Sequence, residues 1–226
     1  MRKIQRLAYI GAIAASALTL AACGGTAAPA SSPAASAPAA APATAAPAAT
    51  DTGVTTNADV FGPACGQLPQ GDAPGSLNNM GPQPVATAAS TNPLLTTLVT
   101  AVKAVPGLPD TLNNTQGITV FAPYNGAFDA VQKQIGAPAF QGLLKDTNKL
   151  GGLLSYHVVG QRYDAKGLVA AGETTELAGG NLTIGGTADA PTITDGQGNT
   201  AKVLCGNIPT SNATVFVIDR VLMPKS

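Results

Sequence analysis

The chain has 226 residues, 12 Lys/Arg against 12 Asp/Glu, 4% aromatic residues and no Trp. It therefore lacks both the basic patches that neutralise phosphates and the aromatic platforms that stack bases, which excludes nucleic acid as a partner. A single His excludes HExxH and multi-His metal centres. GxSxG, phosphate-loop and GxGxxG motifs are missing as well, so no enzyme activity, metal or cofactor is expected.

Arg2, Lys3 and Arg6 precede an apolar run from Leu7 to Ala22, 16 residues long and short of the roughly 20 a spanning helix needs. The run closes on small residues and Cys23. It reads as a lipoprotein signal peptide, residues 1–22, cleaved so that Cys23 becomes a lipidated N-terminus. An ordinary secretory signal with an incidental cysteine is the alternative. Acyl chains contribute about 0.8 kcal/mol per buried methylene, so the expected location is the cell membrane, lipid-anchored on the extracytoplasmic face, with shedding left open. Losing the signal leaves nine basic against 12 acidic residues, a net charge of −3.

Residues 23–58 form the lipidated start and a stalk, with Pro29, Pro33, Pro38, Pro42 and Pro47 spaced through Ala, Ser and Thr. Each Pro removes a backbone donor and clashes with the preceding turn, so a polyproline-like coil is expected. Cys65 and Cys205 remain after Cys23. In an exported chain such a pair is most simply a disulfide; two free thiols or a redox pair are the alternative, although no CxxC is present.

Residues 59–226 make one domain-sized segment. Its Gly- and Pro-rich start, to about Pro84, is expected to wrap the surface. The periodicity then predicts a helix from Ser90 to Val105, with Asn92 as cap and Pro93 in the first turn, ended by Gly107 and Pro109. A β-rich run at Ile118 to Phe121 precedes a helix capped by Asn125 and carrying Phe128, Val131 and Ile135. Further helices are predicted from Pro138 and from about Thr147 to His157. Strands are predicted at Glu176–Leu177, Asn181–Ile184, Thr192–Thr194, Ala201–Leu204 and Val215–Leu222. A hairpin turn is expected at Asp195-Gly196 and Gly198, and Gly179-Gly180 and Gly185-Gly186 read as turns on either side of Asn181–Ile184. Helices followed by a run of strands argue an α+β domain with helices packed on antiparallel sheet.

ITVFAPYNGAF at 118–128, LLSYHVV at 153–159 and VFVIDRVLMP at 215–224 resemble, in order and spacing, the three signatures of the fasciclin (FAS1) domain family. The resemblance covers about residues 84–224 and rests on Thr119, Val120, Phe121, Ala122, Pro123, Asn125 and Phe128, then Val217, Ile218, Asp219, Val221 and Leu222. It implies a two-sheet antiparallel β wedge with a layer of short helices. With the lipid signal, the stalk and the two cysteines, the chain is also similar to the surface lipoprotein and secreted antigen group of mycobacteria. Where the family carries a small hydroxyl after Ala-Pro, this chain has Tyr124, expected to pack rather than bind.

The resemblance makes Tyr156 and His157 a candidate adhesive pair. The residues themselves argue otherwise for His157, which falls on the apolar face of Leu153 and Leu154, where a His is buried and hydrogen-bonded. Asp219, an acid in an apolar strand, calls for a hydrogen-bonding partner. The functional expectation is adhesion or macromolecular interaction with an extracellular or cell-surface protein or a wall polymer. The alternatives are carriage of a small apolar ligand between sheet and helices, or a structural spacer in the envelope.

Overall fold

The computed structural model describes residues 53–225. The signal segment, Cys23 and the stalk to residue 52 lie outside the described residues. Gly53 to Ala58, which the sequence reading places in the stalk, belong to the folded body. Thr214 Oγ1 donates to the Gly53 carbonyl at 2.6 Å, and Thr55 is buried. No proline lies between Pro47 and Pro63, so nothing in this stretch blocks backbone pairing.

The chain then wraps as expected. Phe61 bridges to Gly206, the Ala64 N–H donates to the Leu204 carbonyl at 2.9 Å, and Cys65 is disulfide-bonded to Cys205. Four short helices follow: α1 (Leu77–Met80), α2 (Val85–Thr91), α3 (Thr96–Ala104) and α4 (Leu108–Asn114). The single helix predicted over Ser90–Val105 is broken at Asn92, and the axis turns by 99°. The residue before a proline is steered out of the helical region, so Asn92 is extended and its side chain accepts from the Leu94 N–H at 3.0 Å. Helix α3 stops at Ala104, next to the expected end at Val105, and Gly107 and Pro109, expected only to end it, also start α4. Gly107 sits at φ 78°, a conformation glycine adopts at little cost, and Pro109 occupies the tolerated first turn.

Strand β1 (Ile118–Pro123) leads to α5 (Asn125–Ile135), α6 (Ala137–Lys145) and α7 (Thr147–Ser155). Next come β2 (Val158–Val159), α8 (Ala165–Ala171) and five strands: β3 (Glu173–Thr175), β4 (Asn181–Thr187), β5 (Ala190–Thr194), β6 (Thr200–Pro209) and β7 (Ala213–Ile218). Helix α8 was not foreseen; it is two turns long and started by Asp164, which accepts from the Gly167 N–H at 2.7 Å. Three strand expectations change. Glu176 only bridges to Val159, Gly185-Gly186 lie inside β4 rather than in a turn, and the last strand stops at Ile218, before Asp219.

The strand order is β2-β1-β7-β6-β5-β4-β3. Strand β6 belongs to two leaves: Thr200–Lys202 pair with β5 and Val203–Pro209 with β7, with register shifts on either side of Cys205. The Val159–Glu176 bridge links the far ends of the order and nearly closes the sheet into a barrel. The expected antiparallel pattern holds except at β1 and β7, which run parallel from Ile118↔Ala213 to Pro123↔Ile218. The intervening helices and strands supply the long crossover that a parallel pair requires.

These two strands alternate between two cores. Ile118, Val120, Ala122, Ala213, Val215 and Val217 face the helices, where Leu98, Leu112, Phe128, Phe140 and Leu150 cover them. Phe121, Phe216 and Ile218 face the second leaf, packing with Leu168, Leu182 and Ile193. Buried on both faces, β1 and β7 read as continuous apolar runs, as central strands do.

Asn212, 1% exposed, ties this centre to the helices. Its Oδ1 accepts from the Val85 N–H at 2.9 Å, and its Nδ2 donates to the carbonyls of Leu112 at 2.7 Å and Thr115 at 2.6 Å. Asn212→Ala leaves these buried groups without partners, each worth roughly 1–3 kcal/mol. Chemical denaturation should show a loss of about 3 kcal/mol or more, and a loss below 1 kcal/mol would remove this residue from the account.

Candidate functional site

Helix α7 is capped by Asp146, which accepts from the Lys149 N–H at 3.1 Å, and it delivers Tyr156 and His157 to the seam between the two cores. Both are buried, at 2% and 3% exposure. His157 Nδ1 lies 2.8 Å from the Leu153 carbonyl, and Nε2 lies 2.9 Å from the Leu222 N–H. The carbonyl can only accept and the amide can only donate, so the ring is neutral with its proton on Nδ1. Burial lowers its pKa from 6.5 to about 4.

Tyr156 stands at right angles to His157, its hydroxyl accepting from the Gly196 N–H at 2.8 Å. Burial raises its pKa. Two buried carboxylates flank it. Asp195 Oδ1 accepts from the N–H groups of Gln197 at 3.0 Å and Asn199 at 2.8 Å, closing the hairpin turn expected there, and its Oδ2 accepts from the Met223 N–H at 2.9 Å. Glu176 accepts from the N–H groups of Ala178 and Gly180.

The other residues that carry the family resemblance lie inside as well. Thr119 Oγ1 donates to the Gln161 carbonyl and accepts from the Tyr163 N–H, both at 2.8 Å. Phe121 packs on Phe216 with ring centroids 6.0 Å apart, and Phe128 meets Phe140 edge-on at 6.5 Å. Val120, Ala122, Val217, Ile218, Val221 and Leu222 are all buried.

Asn125 departs from its expected role. It is the first residue of α5 rather than its cap, and its side chain reaches back to another helix. Its Oδ1 accepts from the Thr97 N–H at 3.0 Å and its Nδ2 donates to the Pro93 carbonyl at 3.0 Å, so it caps α3 across the interface. Tyr124 packs against the helical core and lies over Gly126, where any Cβ would collide with its ring. Asp219, just past β7, finds its partner on β6: its Oδ1 accepts from the Lys202 N–H at 2.8 Å.

Sequence reasoning missed Asn207 and Arg162. Asn207, at a positive φ of 57° in the β6 irregularity, accepts from the Ala165 N–H and donates to the Asp59 carbonyl, holding α8 and the N-terminal wrap together. Arg162 donates to Thr214 Oγ1 and to the carbonyls of Thr210 and Ala213. An Asn directly after a Gly, between the apolar Val203–Cys205 and Ile208, was the available signal for Asn207; nothing local marked Arg162.

Several concave features line the described surface, among them a shallow depression of about 670 Å³ beside Val54, Arg162 and Thr210 at the N-terminal end of the domain, and two others bear on function. An open cleft of about 540 Å³ lies between α5 and the segment after β7, lined by Tyr124, Val131, Ile135, Arg220, Val221 and Met223. A small apolar cavity of about 70 Å³ lies among α2, α3, α4 and the β1–β7 floor. Among the described residues, no three of His, Cys, Asp and Glu gather closely enough to hold a metal ion.

A nearly closed sheet split into two leaves, with short helices on one side and these motif side chains at its centre, defines a FAS1-type fold. The Fasciclin domain model matches residues 93–224, and the chain belongs to that family. It is 41% identical over 175 residues to the cell surface glycolipoprotein MPB83 of Mycobacterium bovis, covering 74% of this chain and 73% of the relative. It is 37% identical over 177 residues to the immunogenic protein MPB70 of the same species, covering 74% and 83%. A solved FAS1 domain pair from the insect cell adhesion molecule fasciclin I superposes with a TM-score of 0.54 at 18% identity, covering 62% of this chain and 51% of that one. The last likeness concerns the fold.

A buried His with a lowered pKa makes stability depend on pH in a defined direction. The unfolded imidazole takes a proton at about 6.5 and the folded one only at about 4. Stability is complete above 6.5 and falls as the pH drops through that window. Asp59, held low by its bond from the Thr56 hydroxyl, and Asp146, held low by the Lys149 N–H, act only below the ordinary carboxylate value of 3.8. Urea unfolding between pH 7 and 4 should register a loss of up to about 3 kcal/mol, at 1.36 kcal/mol per pKa unit. A flat profile over that range would contradict the neutral, buried ring.

Proposed function

We propose that this chain is a lipid-anchored surface protein whose fasciclin domain binds another macromolecule outside the cell. The support is family membership together with relatives named as a cell surface glycolipoprotein and an immunogenic protein. Cys23 is the lipidated residue in this reading, and residues 24–52 form the tether.

Strand polarity gives the contact face a direction. The tether reaches the domain at Gly53, beside Thr214 near the start of β7. The parallel strands β1 and β7 run away from that end, and at about 3.3 Å per residue their far ends lie roughly 16 Å off. The cleft between α5 and Arg220 sits at those far ends, opposite the Gly53 end of the strands. It combines an apolar floor, including Ile135 at 40% exposure, with a polar rim of Gln134, Gln197, Asn199 and Arg220, the composition of a transient protein interface. Tyr156 and His157 have no part in this face, because both are buried.

The test is surface capture of residues 53–226 against extracellular-matrix proteins, intact cells and wall polymers. Saturable capture is expected from the folded domain only, weakened at least tenfold by Ile135→Asp or Arg220→Glu with the far-UV spectrum unchanged. Equal capture by a reduced, unfolded sample would sink specific recognition. For the anchor, Cys23→Ala should move the full chain out of the membrane fraction, and unchanged fractionation would remove the lipid.

The cavity bears on the carrier alternative. At about 70 Å³ it is half the size of an engineered 150 Å³ cavity that takes benzene, so it accommodates only a few apolar atoms. Native mass spectrometry of the purified chain should find no co-purified ligand; a bound apolar species would favour carriage.

A further inference from the structure

We infer that the buried Tyr156–His157 corner is an acid-released latch for the C-terminal strap, residues 221–225, in which protonation of His157 Nε2 detaches the strap while the β1–β7 centre stays folded. The strap follows β7 without joining any strand. Three bonds hold it to the body. His157 Nε2 accepts from the Leu222 N–H at 2.9 Å, Asp195 Oδ2 accepts from the Met223 N–H at 2.9 Å, and Gln197 Nε2 donates to the Pro224 carbonyl at 3.2 Å. The last is exposed, so the two buried acceptors, a neutral imidazole and a carboxylate, carry the attachment.

The chemistry of the His157 contact is one-way. Nδ1–H is committed to the Leu153 carbonyl, so Nε2 is the only site where a proton from water can add. Once Nε2 carries a proton it points a donor at the Leu222 N–H, also a donor, and the bond is lost. The charge itself is unwelcome where the ring sits, which is why burial lowers its pKa to about 4. The facing groups on neighbouring elements do not offset this. On the β5–β6 turn, Asp195 attracts the cation but is occupied by four N–H contacts, and the Tyr156 hydroxyl accepts from Gly196. Glu176, beyond Tyr156, is engaged by its own loop. The ring also borders the small apolar cavity whose wall includes Leu154, Val158 and Phe121.

Opening the strap exposes the imidazole to water, where it titrates near its ordinary value. Linkage then raises the open population between about pH 6.5 and 4, by at most tenfold per pH unit and by less near either end of that window. Leu222, 1% exposed, leaves the second core, and Val221 and Met223 leave the wall of the distal cleft. Release therefore remodels the cleft, and the latch itself does not require that the cleft bind a partner.

Hydrogen exchange followed by mass spectrometry on the full chain, corrected for intrinsic exchange rates, tests this. Between pH 6.5 and 5.0 the protection of Leu222 and Met223 should fall about 15-fold, while Val120 and Phe216 in β1 and β7 keep theirs. His157→Gln, neutral at every pH, should remove that dependence. Loss of protection in the strap and in β1–β7 together, an unchanged strap, or a pH dependence retained in the Gln variant would each overturn the latch. Should the variant fail to fold, nitrogen NMR of the wild-type ring decides. An Nδ1–H tautomer that titrates in step with strap opening supports the latch, and titration with the strap still closed refutes it.

Discussion

Everything in this fold depends on the parallel pairing of β1 with β7. Six consecutive residue pairs join two strands that are buried on both faces, so one ladder serves as the floor of the helical core and as the wall of the second leaf. A one-residue slip would exchange the two faces, driving Phe121 and Phe216 into the space shaped for Val120 and Val215. The register is held at its open end by hydroxyls: Thr119 engages Gln161 and Tyr163, and Thr214 engages Gly53 and Arg162. The N-terminal wrap is thereby built into the same ladder, and the disulfide secures it a second time through β6.

Around that ladder, asparagines join elements distant in sequence. Asn92 turns the chain between α2 and α3, Asn125 caps α3 from the start of α5, Asn207 holds α8 to the N-terminal wrap, and Asn212 fixes α2 and α4 to the sheet. An amide supplies both donors and an acceptor without charge, so it can satisfy backbone groups at a buried junction at a smaller desolvation cost than an ion pair. The helices are short, and these junctions set their positions where helix propensity alone would not.

The arrangement separates folding from recognition. The residues that mark the family lie in the two cores or bond to backbone, and Tyr156 and His157 hold the C-terminal strap rather than meeting solvent. The contact face in the proposed function lies elsewhere, at the far ends of the central strands, where α5 and the segment after β7 leave a cleft. The strap that forms one wall of that cleft is held by a titratable acceptor, so the surface at that end is coupled to a buried histidine.

The α+β class, the central apolar strands, the helices at 125–135 and 147–155 and the partnership of the two cysteines were legible in the sequence. Each follows from local periodicity, from the run of apolar residues or from the export context. What escaped it was decided by contacts between distant segments. The break at Asn92 reflects how short helices settle on the sheet, and periodicity reads straight across it. The parallel sense of β1 and β7 follows from the path of the intervening chain, since either direction buries the same side chains. Asn125 looks like a helix cap because its neighbours in sequence suggest one, yet the unpaired N–H it satisfies belongs to α3. For His157, helical spacing with Leu153 and Leu154 already pointed inward, but only the folded chain brings the Leu222 N–H to its second nitrogen and so determines which proton the ring keeps.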